Sequence, residues 1–552
     1  MSRRVFRLLR RKKFHRTENP LHLWMASQWM KKFSRLAVKC ILRFVQLCTH
    51  ALLWIFYHGS GEQMPPIKDL LLLDTATALA LKIRSQKVTS VQVMEVFISR
   101  IKEINPILNC VVDERFEAAL EEAKEVDKLI QSGTKTSAEI EKETPFLGVP
   151  FSTKDCLQVK GLCHTAGLYC RKDVRAAGDA AAIAAMRKAG AIPLALTNVS
   201  EVCMWWESNN TVHGRTSNPY NTHHIVGGSS GGEACLQAAA GSAFGIGSDI
   251  GGSIRMPAFF NGIFGHKPSK GIVSNHGQYP EPVGEQDSFL GIGPMCRFAT
   301  DLVPVLRIIS GKKADLLNLD EKVDVRKLKF YYMEHDGGSH LVSPVDGEIK
   351  DALRKVVTYL DKAYGIKAQK ICLGKLRLST AIWMAKMKVK GSPPFSEQLA
   401  NCKGAVNVYL ELLKWFLCIS KHTFIGLATA ITEDFGVEYG SDKHVYLLDQ
   451  CRQLADELQD ILGTDGVFLY PTHPTPAPYH NEPLVKPFNF SYTAIVNVLG
   501  LPATHCPLGL TRDGLPVGIQ VIGSLNKDRH TLAVAVELEK AFGGWVPPSI
   551  KV

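Results

Sequence analysis

The chain has 552 residues, 45% hydrophobic and 21% charged, a globular composition that excludes a disordered or collagen-like chain and can bury a sizeable core. Its net charge of +12 suggests nucleic acid, but 13 of the 65 Lys/Arg and only one acid, Glu18, fall within residues 1–60, leaving 52 bases against 52 acids in the body. A neutral body argues against nucleic-acid binding, and 14 scattered cysteines without C-x-x-C argue against a zinc finger and for free thiols.

Residues 1–35 form a basic leader. Residues 36–57, LAVKCILRFVQLCTHALLWIFY, are long enough to cross roughly 30 Å of hydrocarbon, although Lys39, Arg43 and His50 interrupt them. A spanning helix would leave the leader cytoplasmic and carry the body across, in an endomembrane on this reading. Lys32, Arg35, Lys39, Arg43, Gln46 and His50 also share one helical face, which suits a monotopic helix lying flat on anionic lipid. A cleaved signal is the third reading, with Tyr57-His58-Gly59-Ser60 a poor cleavage site.

Beyond Pro65-Pro66, Leu79, Ile83, Val93, Phe97 and Ile101 recur at helical spacing, with an interruption around Gln86–Ser90. Residues 109–150 read as a strand, a charged helix over Glu114–Ser132 and a polar loop. Then come a strand (Val149–Thr153), a helix (Ala176–Gly190), a strand (Ile192–Leu196), the glycine-serine run, an Ala-rich helix (about Glu233–Ala243) and a strand ending at Asp249. This alternation predicts an α/β domain over 64–552: one twisted mixed sheet flanked by helices, preceded by a membrane helix. Residues 405–431 are apolar again, broken by Lys414 and Lys421. They read either as a buried helix or as a membrane-dipping helical hairpin, with Trp415, Phe416 and Phe424 beside lysines at the lipid interface.

Three short pieces carry chemistry: Ser152-Thr153-Lys154-Asp155, Gly227-Gly228-Ser229-Ser230-Gly231-Gly232 and Asp249-Ile250-Gly251-Gly252-Ser253-Ile254-Arg255. Lys154 closes an apolar strand, where a buried amine must pair or lose its proton. The turn at Gly251-Gly252-Ser253 offers successive N–H groups as a nest for an oxyanion, with a serine at its edge. Gly227-Gly228-Ser229-Ser230-Gly231 also satisfies the G-x-S-x-G elbow of hydrolases, in which His266, His473 or His505 would be the base. That elbow needs a strand before Gly227, and Asn218–His224 reads as loop. Each piece alone is also readable as a structural turn or a solvated lysine. Neither phosphate-loop pattern, G-x-x-x-x-G-K-[ST] or G-x-G-x-x-G, is present.

In this order the three pieces resemble the amidase signature family. So do Gly190-Ala191-Ile192-Pro193, Thr197-Asn198, Asn218-Pro219-Tyr220, His266-Lys267-Pro268, Leu501-Pro502-Ala503 and the run Gly514–Gln520, across roughly residues 70–545. With its membrane segment the chain is most similar to the family's fatty-acid amide branch in its type-2 form, from which the Arg-rich leader departs.

The resemblance implies a Ser-Ser-Lys triad with Ser253 as nucleophile. Ser229 would be hydrogen-bonded to both Ser253 and Lys154, and neutral Lys154 would be the base. Backbone N–H groups of Ile250, Gly251, Gly252 and Ser253 would hold the oxyanion, and Ser230, Asp249 and Arg255 would shape the turn. It implies no metal and no cofactor, a lipid amide substrate such as oleamide or anandamide, membrane lipid as partner and a candidate homodimer. Two other functions stay open: a glutamyl-tRNA amidotransferase A-like subunit using the same triad, and an inactive scaffold on the same fold.

Overall fold

Threonines start the body's first helices. Thr75 caps Ala76–Arg84 and Thr89 caps Ser90–Leu108, the latter in a capping box with Gln92. The expected interruption lies between them. The computed structural model describes residues 20–59, 61–433 and 436–548, with side chains from residue 37 onward. Residues 1–19 of the basic leader lie outside the described residues.

The strands in chain order are β1 (Val111–Glu114), β2 (Pro150–Lys154), β3 (Ile192–Thr197), β4 (Asn209–Asn210), β5 (Gly214–Arg215), β6 (Phe244–Asp249) and β7 (Phe264–Lys267). There follow β8 (Gly291–Cys296), β9 (Lys329–Tyr332), β10 (Gln369–Lys370), β11 (Gly466–Pro471), β12 (Ala503–Leu510) and β13 (Pro516–Gly523). Eleven of them form one sheet in the order β1-β3-β2-β6-β8-β7-β12-β13-β11-β9-β10, and β4 and β5 pair separately. β2 runs parallel to β3 and β6, while β6 runs antiparallel to β8. The sheet is therefore mixed, as expected. Every residue of β2, β3 and β6 is buried, because helices cover both faces of this parallel centre. The carboxyl ends of β2 and β6 consequently open at the same edge, where ligands sit in open α/β sheets.

Two expected helices are shorter. The first covers Ala181–Lys188, because Ala176 and Ala180 donate to Leu162 and Gln158 and hold 176–180 in an irregular loop. The second covers Gly231–Ala238, ending where Ala240 turns to φ 60° and the Ala239 carbonyl accepts from Arg100. The polar loop before β2 contains a short capped helix, Ser137–Glu143, that periodicity did not reveal.

Residues Pro20–Phe56 form one continuous helix, and its Ala37–Phe56 part is long and apolar enough to cross a membrane. Its polar stripe turns towards protein rather than away from it. Arg43 donates to the Val342 carbonyl and to Gln46, Gln46 donates to the Val485 carbonyl at 3.0 Å, and His50 Nδ1 lies 3.1 Å from Glu482. Ile41, Phe44, Leu52 and Phe56 stay exposed. The stripe proposed for lipid headgroups is thus, from Arg43 onward, a seam against the body, because buried carbonyls and a carboxylate need those donors.

The apolar stretch 405–431 folds as two helices, Val408–Phe416 and Phe424–Glu433, packed on each other across a short turn. Leu427 and Ala430 are buried against Leu168, Val202, Phe395 and Leu399. The outer face is open: Phe416 is 68% exposed and Ile419 65%. Glu201 clasps the turn, accepting from Thr423 N and Oγ1 and lying 2.8 Å from His422 Nδ1.

Candidate active site

Lys154 ends β2 with a fully buried side chain. The register pairs Thr153 with Ile246, so its amine reaches over the end of β6. There Nζ lies 2.8 Å from Ser229 Oγ and 3.1 Å from Ser248 Oγ, with the Ser248 carbonyl at 3.4 Å. Its hydrogen-bond partners among the described residues are hydroxyls and a carbonyl, not carboxylates. Below it, Glu233 accepts from Ser152, Thr197 and Gln237. Burial raises the Glu233 carboxyl to about 7 against the pull of those donors.

The glycine-serine run wraps around this amine. No strand precedes Gly227, and the helix Gly231–Ala238 begins just after Ser230. Ser230 N donates to the Ser253 carbonyl at 3.2 Å and Ser230 Oγ to the Ser248 carbonyl at 3.3 Å, tying the run to the turn after β6. Gly228 cannot carry a side chain, since a Cβ there would come within 2.4 Å of the Trp205 carbonyl.

That turn is held from outside. Gly252 sits at φ 124°, and a Cβ there would come within 2.0 Å of Thr493 Oγ1. Trp383 Nε1 donates to the Ile250 carbonyl and Thr493 Oγ1 to the Gly251 carbonyl, both at 2.8 Å. With those carbonyls fixed outward, the N–H groups of Ile250, Gly251 and Ser253 find no acceptor among the described residues. The Gly252 N–H is different: it donates to Asp249 Oδ1 at 2.6 Å. The open nest therefore has three donors rather than the four expected, because the carboxylate that shapes the turn takes the fourth.

Asp249 and Arg255 brace the turn, both fully buried. Burial would raise the Asp249 carboxyl, but the Arg255 charge and its hydrogen bonds outweigh this and hold it at about 2. Asn497 and Gln520 complete the brace from distant elements.

Ser253 is 8% exposed and opens on an apolar cavity of about 430 Å³, walled by Trp206, Met256, Trp383, Phe424 and Phe488 among others. Its hydroxyl has no partner among the described residues, and Ser229 Oγ bonds to Lys154. The expected Ser229–Ser253 bond is therefore not made in this structure.

No histidine is hydrogen-bonded to either serine among the described residues. His266 lies between Thr504 and Asp528. His473 and His505 are buried, which lowers both to about 3. The nucleophile-elbow reading thus lacks its strand and its base.

The Amidase family model matches residues 92–532. The chain belongs to the amidase signature family. This amidase is 47% identical over 522 residues to Fatty-acid amide hydrolase 2-A of Danio rerio, covering 92% of this chain and 97% of the relative. It is 48% identical over 488 residues to Fatty-acid amide hydrolase 2 of Homo sapiens, covering 88% and 92%. A solved structure of a fatty acid amide hydrolase shares the fold at a TM-score of 0.68 and 23% identity, over 88% of this chain and 87% of that one.

Sequence reasoning missed Ser248, Glu233, Trp383, Thr493 and Asn497. Glu233 and Ser248 were within reach, each directly beside a quoted motif. The other three arrive on helices more than 130 positions away, with no local pattern to mark them.

Proposed function

We propose that this amidase hydrolyses fatty acyl amides drawn from a membrane to a free fatty acid and an amine or ammonia. The observation that carries it is the buried Lys154–Ser229 bond beside a three-donor nest and Ser253, opening on an apolar cavity. Ser253 attacks the amide carbon while Lys154, when unprotonated, takes its proton through Ser229. The N–H groups of Ile250, Gly251 and Ser253 receive the oxyanion, ordinarily the largest single contribution. The proton returns through Ser229 to the leaving nitrogen, since an unprotonated amide nitrogen leaves poorly. Water then cleaves the acyl-enzyme. Each step uses groups of the chain itself.

The cavity supports a long acyl chain. Phe424 and Thr432 of the second hairpin helix line it, and the same hairpin exposes Phe416 and Ile419 outward. The N-terminal helix, docked on the body through Arg43, Gln46 and His50 and exposing Ile41, Phe44, Leu52 and Phe56, supports with this hairpin a monotopic attachment to a membrane. Leu484 joins the two features: it lines the cavity, while the neighbouring Val485 carbonyl and Glu482 hold Gln46 and His50.

The test is turnover of saturated primary amides of graded chain length by the purified chain alone. Rising kcat/KM with chain length supports the reading. Turnover only of short amides, or only with added tRNA and partner subunits, contradicts it.

A further inference from the structure

Beside Lys154 lies a pair of thiols that the hydrolytic chemistry does not use. Cys203 closes a tight turn, Glu201–Cys203, in which Val202 and Cys203 both sit at φ 55°. A β-branched residue is an outlier in this left-handed region, and such strain persists only where the surroundings hold it. Here Glu201 is clasped by His422 and Thr423 on one side, and Val202 N donates to the Ala166 carbonyl at 2.9 Å on the other. The turn sets a half-buried thiol in the wall shared by the apolar cavity and a second cavity of about 580 Å³.

Ala166 also laces the turn to the end of β2, its N–H donating to the Asp155 carbonyl at 2.8 Å. Cys156, fully buried, is brought against Cys203 in this way, and the two thiols interact directly. Cys156 Sγ lies 3.8 Å from Ser248 Oγ, which itself lies 3.1 Å from the Lys154 amine. The contact with Cys156 lowers the Cys203 thiol against the burial that would raise it, with Lys154 and the Ser229 hydroxyl adding to the effect. Burial pushes Cys156 up. Thiolate character therefore falls on the sulfur that faces the cavities. Cys110 and Cys235 also interact, but both are sealed in the core and line neither cavity.

An accessible thiol prone to ionise, with a second thiol sealed behind it, is the arrangement in which one sulfur is oxidised and the other resolves it. We propose that Cys203 is an oxidation site for hydroperoxides, resolved by Cys156 into a disulfide that stops hydrolysis at Ser253. The Cys203 thiolate attacks a peroxide oxygen, so that the S–O bond forms as the O–O bond breaks and the other oxygen leaves with a proton as water or alcohol. The peroxide is reduced and the sulfur becomes a sulfenic acid. Cys156 then attacks that sulfur; the S–S bond forms, the S–O bond breaks and water leaves with the Cys156 proton. A thiol reductant restores both. The disulfide draws Cys203 off Ser229 and towards the end of β2, displacing the wall beside Gly228 and Ile250.

The test treats the full chain in detergent micelles with hydrogen peroxide, removes the excess with catalase, and follows oleamide turnover before and after dithiothreitol. Turnover should fall about tenfold or more, since a misplacement of about 1 Å near reacting atoms is worth up to about a hundredfold. Dithiothreitol should restore it. Mass spectrometry should find a Cys156–Cys203 disulfide, with Cys110 and Cys235 still reduced. Cys203→Ser should keep its own untreated activity through peroxide, and Cys156→Ala should accumulate a sulfenic acid on Cys203 that dimedone traps. Turnover insensitive to peroxide, an inactivated enzyme with Cys156 and Cys203 still reduced, or equal inactivation of Cys203→Ser overturns the proposal. If the serine variant does not fold, the wild-type disulfide peptide decides. That peptide is detected without turnover, so a chain that forms it yet hydrolyses no oleamide contradicts the amidase reading and not the oxidation site.

Discussion

Asp249 and Arg255 are an ion pair with neither side chain exposed, Nε to Oδ2 at 3.0 Å, closing a seven-residue turn around Gly251, Gly252 and Ser253. The pair shapes the nest through three N–H groups, those of Gly252, Ile254 and Arg255, all donated to Asp249.

Asp249→Asn should therefore cost about 3–5 kcal/mol of stability, because it strands the Arg255 charge in the core. The urea midpoint measures this. The sign with pH also follows. The Asp249 carboxyl is held at about 2 in the fold against its ordinary 3.8. Its stabilisation is complete above about pH 4 and lost as pH falls towards 2, roughly 2.5 kcal/mol in all. The asparagine variant should lack that part of the acid limb.

Lys154 and Ser229 should behave as one unit. Lys154→Met and Ser229→Ala should each lower kcat by about 10²–10⁴, the range of a proton-transfer catalyst. The double variant should be little worse than the poorer single one. Additive losses would separate the two residues into independent roles.

The exposed rim of the hairpin predicts a membrane effect without a chemical one. Phe416→Ser and Ile419→Ser touch neither cavity. Each should weaken cosedimentation with liposomes by roughly tenfold, the worth of one buried apolar side chain. Both should leave turnover of a short soluble amide unchanged.

The seam of the N-terminal helix gives another expectation. Gln46→Ala and His50→Ala remove donors facing Val485 and Glu482, at about 0.5–1.5 kcal/mol per hydrogen bond. Limited proteolysis should then open the 482–488 segment, with the core sheet still protected.

Much of this was legible in sequence because its determinants are local. β2, β3 and β6 are short apolar runs bounded by turns, and Leu79, Ile83, Val93, Phe97 and Ile101 mark the first two α-helices of the body by their spacing. The motif residues Lys154, Ser229, Ser230, Asp249 and Ser253 stand in short patterns whose order resembles one family. What was hidden depends on long-range approach. Trp383 and Thr493 fix the Ile250 and Gly251 carbonyls from helices that carry no motif. The three-donor nest follows from the rotamer of one carboxylate, and no pattern encodes that. The polar stripe Arg43–Gln46–His50 was visible as a helical face, but its direction was not. Periodicity shows that a face exists, and only the neighbouring Val342, Val485 and Glu482 show what it meets.

The most direct measurement of the central claim is covalent labelling by a fluorophosphonate probe, located by mass spectrometry and paired with amide turnover. The account predicts label on Ser253 alone, with label and turnover both lost in Ser253→Ala. Label on Ser229, or full turnover in Ser253→Ala, would contradict it.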